Sequence, residues 1–283
     1  MKKFFLTLLI LVSVCMSHAQ TKHALVIGIG KYPAGSGWQR INGDRDADSV
    51  VNMLNGTDFK DIQCLKNENA TKANIVNGFK LLTARCHSGD VVYIHFSGHG
   101  QQMRDTDNDE ADGLDESWIP YDACVSPCAK DRGEKHLIDD EIGTLLDGIF
   151  SRVGAEGKIL VVADACHSGS STRCEDNSND IIRGVDTIFP MKKYSRKTQV
   201  NENWILISAC GDNQSNVEMK QPAMGKLTYA LVWLVNNGCK DDNRLFKRRV
   251  QQFFDKHRSS AGEQTLIISG VTDRFTISKL FQE

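Results

Sequence analysis

KILVVADACHSG (residues 158–169) joins an apolar run to a reactive tail. Ile159 to Ala163 are apolar without interruption. Such a run predicts a strand buried on both faces, as in a parallel sheet, where helices cover both sides of the pleat. The tail, Asp164-Ala165-Cys166-His167-Ser168-Gly169, falls at the strand's C-terminal end, where open α/β sheets place their ligands. Val91-Val92-Tyr93-Ile94 runs into His95-Phe96-Ser97-Gly98-His99-Gly100 in the same way. If the two strands are parallel members of one sheet, His99 and Cys166 leave it at one edge. A thiol beside an imidazole is the minimum machinery of a thiol nucleophile.

Residues 24–30, 62–65, 204–209 and 264–269 predict further strands. Helices are expected over 46–54, from Thr71 through Ile75, Phe79 and Leu82, from Asp139 through Ile149, and over 224–237 and 243–257. Strands alternating with helices imply an α/β sheet covered on both faces. Gly28 and Gly30 suggest a nucleotide loop only weakly, since the third glycine is missing and a Pro33–Gly37 loop follows.

At 283 residues, 40% hydrophobic and 25% charged, the chain can bury one large core. Its net charge of −2 leaves no basic excess to neutralise phosphates, which argues against nucleic-acid binding. Residues 1–19 predict a secretory signal peptide: Lys2-Lys3, an apolar stretch from Phe4 to Val14, then Ser17-His18-Ala19 before Gln20. The mature domain, residues 21–283, is therefore expected to be exported, periplasmic or extracellular, with no membrane span. Export permits disulfides. Cys124 and Cys128 are the expected pair, with zinc held by these two and His136 as the alternative.

His99 and Cys166 are the expected catalytic pair, the imidazole taking the thiol proton and later protonating a leaving amine. Gly and Ser around both let a backbone approach them closely. The backbone N–H groups of Gly100 and Cys166 are expected to hold the developing oxyanion. His167 is the rival base, but neighbouring side chains on extended chain point apart, which favours His99.

These residues carry a resemblance. YIHFSGHG (93–100) and DACHSG (164–169) resemble the paired signatures of metacaspases, in the caspase-like clan. Asn42-Gly43-Asp44-Arg45-Asp46-Ala47, Asp112-Gly113-x-Asp115-Glu116, Ile138-Asp139-Asp140-Glu141-Ile142, Ile207-Ser208-Ala209-Cys210-x-Asp212-x-Gln214-Ser215 and Gly225-Lys226-Leu227-Thr228-Tyr229-Ala230 extend it through most of the chain. The resemblance implies a caspase-like α/β/α sandwich with a mostly parallel central sheet of about six strands. It also implies a cysteine endopeptidase cutting after Arg or Lys, whose partner is a peptide or protein with a basic residue before the cut bond.

The physical counterpart of that preference is acid near the thiol, which attracts a guanidinium and repels an acidic side chain. Asp164 and Asp46 are the expected pocket residues, with Asp44 the alternate to Asp46 and Asp212 a further candidate. No cofactor is required for the chemistry. The resemblance adds calcium, bound through Asp139 and Asp140, although residues 170–173 hold no Asp where the family pattern has one. The acidic run at 105–116 fails as an EF-hand because Glu110 stands at the glycine position. Residues 170–203 are expected to form an exposed linker bearing Arg173, Arg183, Lys192, Lys193, Arg196 and Lys197, where self-cleavage would convert a zymogen. A non-catalytic peptide-binding homologue and a peptide ligase using the same two residues are the alternatives.

Overall fold

The computed structural model describes residues 19–105, 113–166, 180–185, 187–190, 203–211, 214–259 and 262–282. In chain order, β1 (Lys22–Gly28), α1 (Gly43–Asn55), β2 (Asp61–Lys66), α2 (Lys72–Arg85) and β3 (Val91–Ser97) build the first half of the sheet and its helices. Three strands follow, β4 (Gly100–Arg104), β5 (Leu114–Trp118) and β6 (Leu137–Ile138), and then α3 (Asp139–Val153) and β7 (Lys158–Asp164). The chain continues through β8 (Ile205–Ser208), the short strands β9 (Glu218–Lys220) and β10 (Ala223–Gly225), α4 (Lys226–Asn236), α5 (Asn243–Lys256) and β11 (Ile267–Gly270).

The central sheet has the expected six strands, and their order is β11-β8-β7-β3-β1-β2. All pair in parallel except β11, which runs antiparallel to β8. Successive side chains on a strand point to opposite faces, and the two faces carry separate cores. Ala24, Val26, Tyr93, Leu160 and Val162 pack with residues of α1, α4 and α5 on one side. Leu25, Ile27, Val92, Ile94, Val161 and Ala163 pack with residues of α2 and α3 on the other. Each fully buried aliphatic or aromatic side chain contributes about 1.5–3 kcal/mol, so covering both faces holds the two central strands rigidly. Thr71 caps α2, its hydroxyl accepting the N–H of Asn74.

Gly28 serves packing. A Cβ there would collide with the Gly43 carbonyl and Ala47, so glycine lets the start of α1 approach the end of β1. No described helix is long and apolar enough to cross a membrane.

Two features depart from the sequence reading. The acidic run at 105–116 carries no strand prediction, but Leu114–Trp118 at its end is β5, paired antiparallel with β4 in a second small sheet. The linker is not uniformly exposed: Arg183 and Phe189 within it are completely buried. Charge and polarity make such a segment look solvated; buried acid and an apolar pocket elsewhere in the chain draw these two side chains inside.

Candidate active site

β3 and β7 are neighbours, with Ser97 opposite Asp164. His99 and Cys166 each lie two residues past that pair. Both therefore leave the sheet at one C-terminal rim, and both are buried.

The loop after β1 holds the imidazole. His99 Nε2 donates to the Gln39 carbonyl at 2.9 Å, which places the ring proton on Nε2 and leaves the lone pair on Nδ1. Nδ1 is buried without a hydrogen-bond partner. The ring stacks on Trp38 with centroids 4.8 Å apart and tilts against Tyr32 at 5.3 Å. The backbone N–H of His99 donates to the Tyr32 hydroxyl at 3.1 Å, and that hydroxyl donates to the Ile119 carbonyl at 3.2 Å. Burial, only partly offset by the Gln39 bond, lowers the pKa of His99 to about 4, so the ring is neutral at neutral pH. The Cys166 thiol is free of any disulfide and donates to the Gln214 carbonyl at 3.1 Å.

Arg183 fills the space beside this pair. Its carbonyl oxygen accepts the N–H of Gly100 at 3.0 Å and that of Cys166 at 3.1 Å. Its guanidinium enters an acidic pocket in which Asp46, Asp164 and Glu218 all lie buried. Nη2 donates to Asp46 at 2.6 Å and to Glu218 at 2.8 Å, and Nε donates to the same Glu218 oxygen at 3.1 Å. Nη1 donates to the Ser97 hydroxyl at 2.6 Å and to the Asp164 carbonyl at 3.0 Å, with the Asp164 carboxylate at 3.5 Å. Before Arg183 the chain runs antiparallel to residues 216–218: Ile182 bridges Val217, Arg183 N–H donates to Asn216, and Glu218 N–H donates to Ile181.

The acids are held in place from several elements. Asp46 stands in the first turn of α1 and accepts from the Ser97 hydroxyl and the Gly225 N–H. Burial raises its pKa to about 6 despite Arg183, with Asp164 adding to the rise. Asp164 goes the other way. Burial alone would raise it, but Arg183 and hydrogen bonds from Asn216 and Thr228 hold it below the usual carboxylate range. A directed chain supports that charge, the Tyr93 hydroxyl donating to His95, His95 to Thr228, and Thr228 to Asp164. Glu218 is anchored by the backbone N–H and side-chain amide of Asn42.

Of the expected residues, His99, Cys166, Gly100, Asp46 and Asp164 come together at this rim. Asp44 faces Asn67 instead. Asp212 and His167 lie outside the described residues. Glu218, Ser97, Tyr32, Trp38 and Gln39 escaped the sequence reading. An aromatic pair in a Gly/Pro-rich loop was the only local signal for the last three. Asp139 and Asp140 sit in the first turn of α3, where their charge suits the helix dipole. Among the described residues, no three His, Cys, Asp or Glu side chains converge as a metal site. Cys124 and Cys128 form a disulfide, which removes the zinc alternative; His136 bonds Gln101 instead.

The Caspase domain family matches residues 21–276. Metacaspase-1 of Plasmodium falciparum is 25% identical over an alignment covering 94% of this chain and 42% of its own length. Metacaspase-2 of Trypanosoma brucei brucei is 27% identical, covering 72% of this chain and 58% of its own. The chain thus spans less than two thirds of the length of these relatives. Among solved structures, a Geobacter sulfurreducens protein superimposes with a TM-score of 0.65 at 23% identity, covering 93% of this chain and 97% of that one. Caspase-1 from Spodoptera frugiperda gives 0.57 at 14% identity, covering 90% and 88%.

Proposed function

This chain belongs to the caspase-domain family of cysteine-type peptidases, and we propose that it is an endopeptidase that cuts after arginine and processes itself between Arg183 and Gly184. One observation carries the reading: Arg183 has its guanidinium among three buried acids while its carbonyl accepts two backbone N–H groups, one of them that of Cys166.

The chemistry follows from that pose. His99 Nδ1 accepts the Cys166 proton, and Sγ attacks the Arg183 carbonyl carbon. The negative oxygen that forms stays against the N–H groups of Gly100 and Cys166, each such donor being worth about 2.7–4 kcal/mol in transition-state stabilisation. The C–N bond to Gly184 breaks as His99 returns the proton to its nitrogen. Water then hydrolyses the acyl–sulfur bond and restores the thiol.

Arginine fits this pocket better than lysine. Glu218 receives both Nε and Nη2, whereas an ammonium is a single point donor. Export is part of the proposal, supported by the leader-like residues 1–19 and by the Cys124–Cys128 disulfide, which belongs in an oxidising compartment. None of these chemical steps uses Asp139 or Asp140; stimulation by calcium is tested by assay with and without the ion.

The test is mass spectrometry of the purified chain and of Cys166→Ala, alongside hydrolysis of arginyl amide peptides. A cut after Arg183 and arginyl turnover, both lost in the variant, are expected. An intact wild-type chain that hydrolyses no arginyl peptide would overturn the reading.

A further inference from the structure

Beyond Gly184 the chain stays on the protein. Gly184 forms a parallel bridge with Gly100. Gln101 Nε2 donates to the Thr187 carbonyl at 2.6 Å. Phe189 N–H donates to Gln102 at 2.9 Å, and the Phe189 carbonyl accepts the Arg104 N–H at 3.1 Å. β4 is the edge strand of its small sheet, and this segment lengthens that sheet by pairing with its open side.

The segment ends in an anchor. Ile188 is 44% exposed, but Phe189 is fully buried against Met103 and Ile138. Its ring lies 4.4 Å, centroid to centroid, from that of His136. His136 Nε2 in turn donates to Gln101 Oε1 at 3.0 Å, fixing the amide whose nitrogen holds Thr187. Positioning Arg183 does not require any of this, since Phe189 is the sixth residue after the bond to be cut. Edge strands bind extended peptides by main-chain pairing and select them by side-chain pockets.

Resting on the assignment of Arg183–Gly184 as the cut bond, we propose that the β4 edge and the Met103–Ile138–His136 pocket form a binding site for the part of a peptide substrate that follows the cleaved bond. The site selects an aromatic side chain six residues beyond the arginine. Before the self-cut, residues 184–185 and 187–190 occupy it in cis. Afterwards the tether to the arginine pocket is gone, and the segment holds the groove only by its own contacts, in competition with substrate. The reaction centre sets the register, so a substrate lying along β4 delivers its sixth residue to the pocket.

The experiment compares two quenched fluorescent peptides copying residues 180–190, one with Phe and one with Ala at the position of Phe189, on the full-length chain. Burying one aromatic ring predicts a kcat/KM at least about tenfold higher for the Phe peptide. In Met103→Gln the ratio of the two should fall towards one, a readout that is internal to each preparation and insensitive to partial unfolding. Equal wild-type rates overturn the proposal while leaving arginine-directed hydrolysis intact. A ratio unchanged in Met103→Gln overturns the assignment to this pocket. Failure to cut either peptide overturns this proposal together with the peptidase reading.

Discussion

The carbonyl oxygen of Arg183 lies 3.1 Å from the backbone nitrogen of Cys166 and accepts its hydrogen. That bond ties a linker residue to the residue that bears the proposed nucleophile, and it sets the first prediction. Arg183→Gln should abolish the self-cut, because a neutral amide leaves the pocket acids without a cation. Arg183→Lys should retain a slower cut. Intact-mass time courses of both variants check this, and a cut persisting at the same bond in Arg183→Gln would sink it.

Glu218 should set the choice of arginine over lysine. Hydrogen bonds to charged groups contribute about 1.5–3 kcal/mol, so Glu218→Gln should lower the ratio of arginyl to lysyl kcat/KM by about tenfold or more. A ratio that holds would assign the preference to Asp46 and Asp164 instead.

Gly225→Ala should close the pocket to arginine. A Cβ there would stand 2.8 Å from Arg183 Cζ and collide with the Asp164 carboxylate. Both side chains are buried and held by several hydrogen bonds, so little can yield. The expected result is a steep rise in KM for arginyl peptides, read by steady-state kinetics. Unaltered KM would show that the guanidinium binds elsewhere.

The self-cut should slow as pH falls through about 6, where Asp46 takes up a proton in the arginine-filled site. His99, lowered to about 4, stays neutral across that range and cannot supply the step. Because the ordinary value for Asp46 is 3.8, the folded chain binds a proton that the unfolded chain has lost. This group's contribution to folding therefore declines as pH rises from about 4 to 6, opposite to the trend in activity. Asp46→Asn should cut slowly at every pH and lose the step; a step at pH 6 surviving in that variant would refute the assignment.

His99→Ala should lower kcat by about 10²–10⁴-fold, the usual span for a general base. Trp38→Ala tests the platform under the ring. It should lower kcat with KM little changed, because Trp38 stacks on His99 and makes no contact with Arg183 among the bonds that hold it.

The layered fold was legible because its signal is local. Five apolar residues before Asp164, and the similar run before His95, read as strands covered on both sides, and both are central strands of the sheet. The small sheet was not legible. β4, Gly-Gln-Gln-Met-Arg, carries no apolar alternation, and β5 has two acids among its five residues, so the sequence gives no local sign of their pairing. Glu218 was missed for the same reason: it gains its place from Asn42 and Arg183, which no spacing in the sequence brings together.

The amino-acid order by itself determined a covered parallel sheet and the rim at which an imidazole and a thiol emerge, since burial on both faces and strand direction follow from short runs of side chains. What occupies that rim follows from contacts between segments far apart in the chain. A charged arginine enters the interior where three carboxylates from separate elements converge on it, and long-range electrostatic pairing of that kind leaves no trace in any one segment.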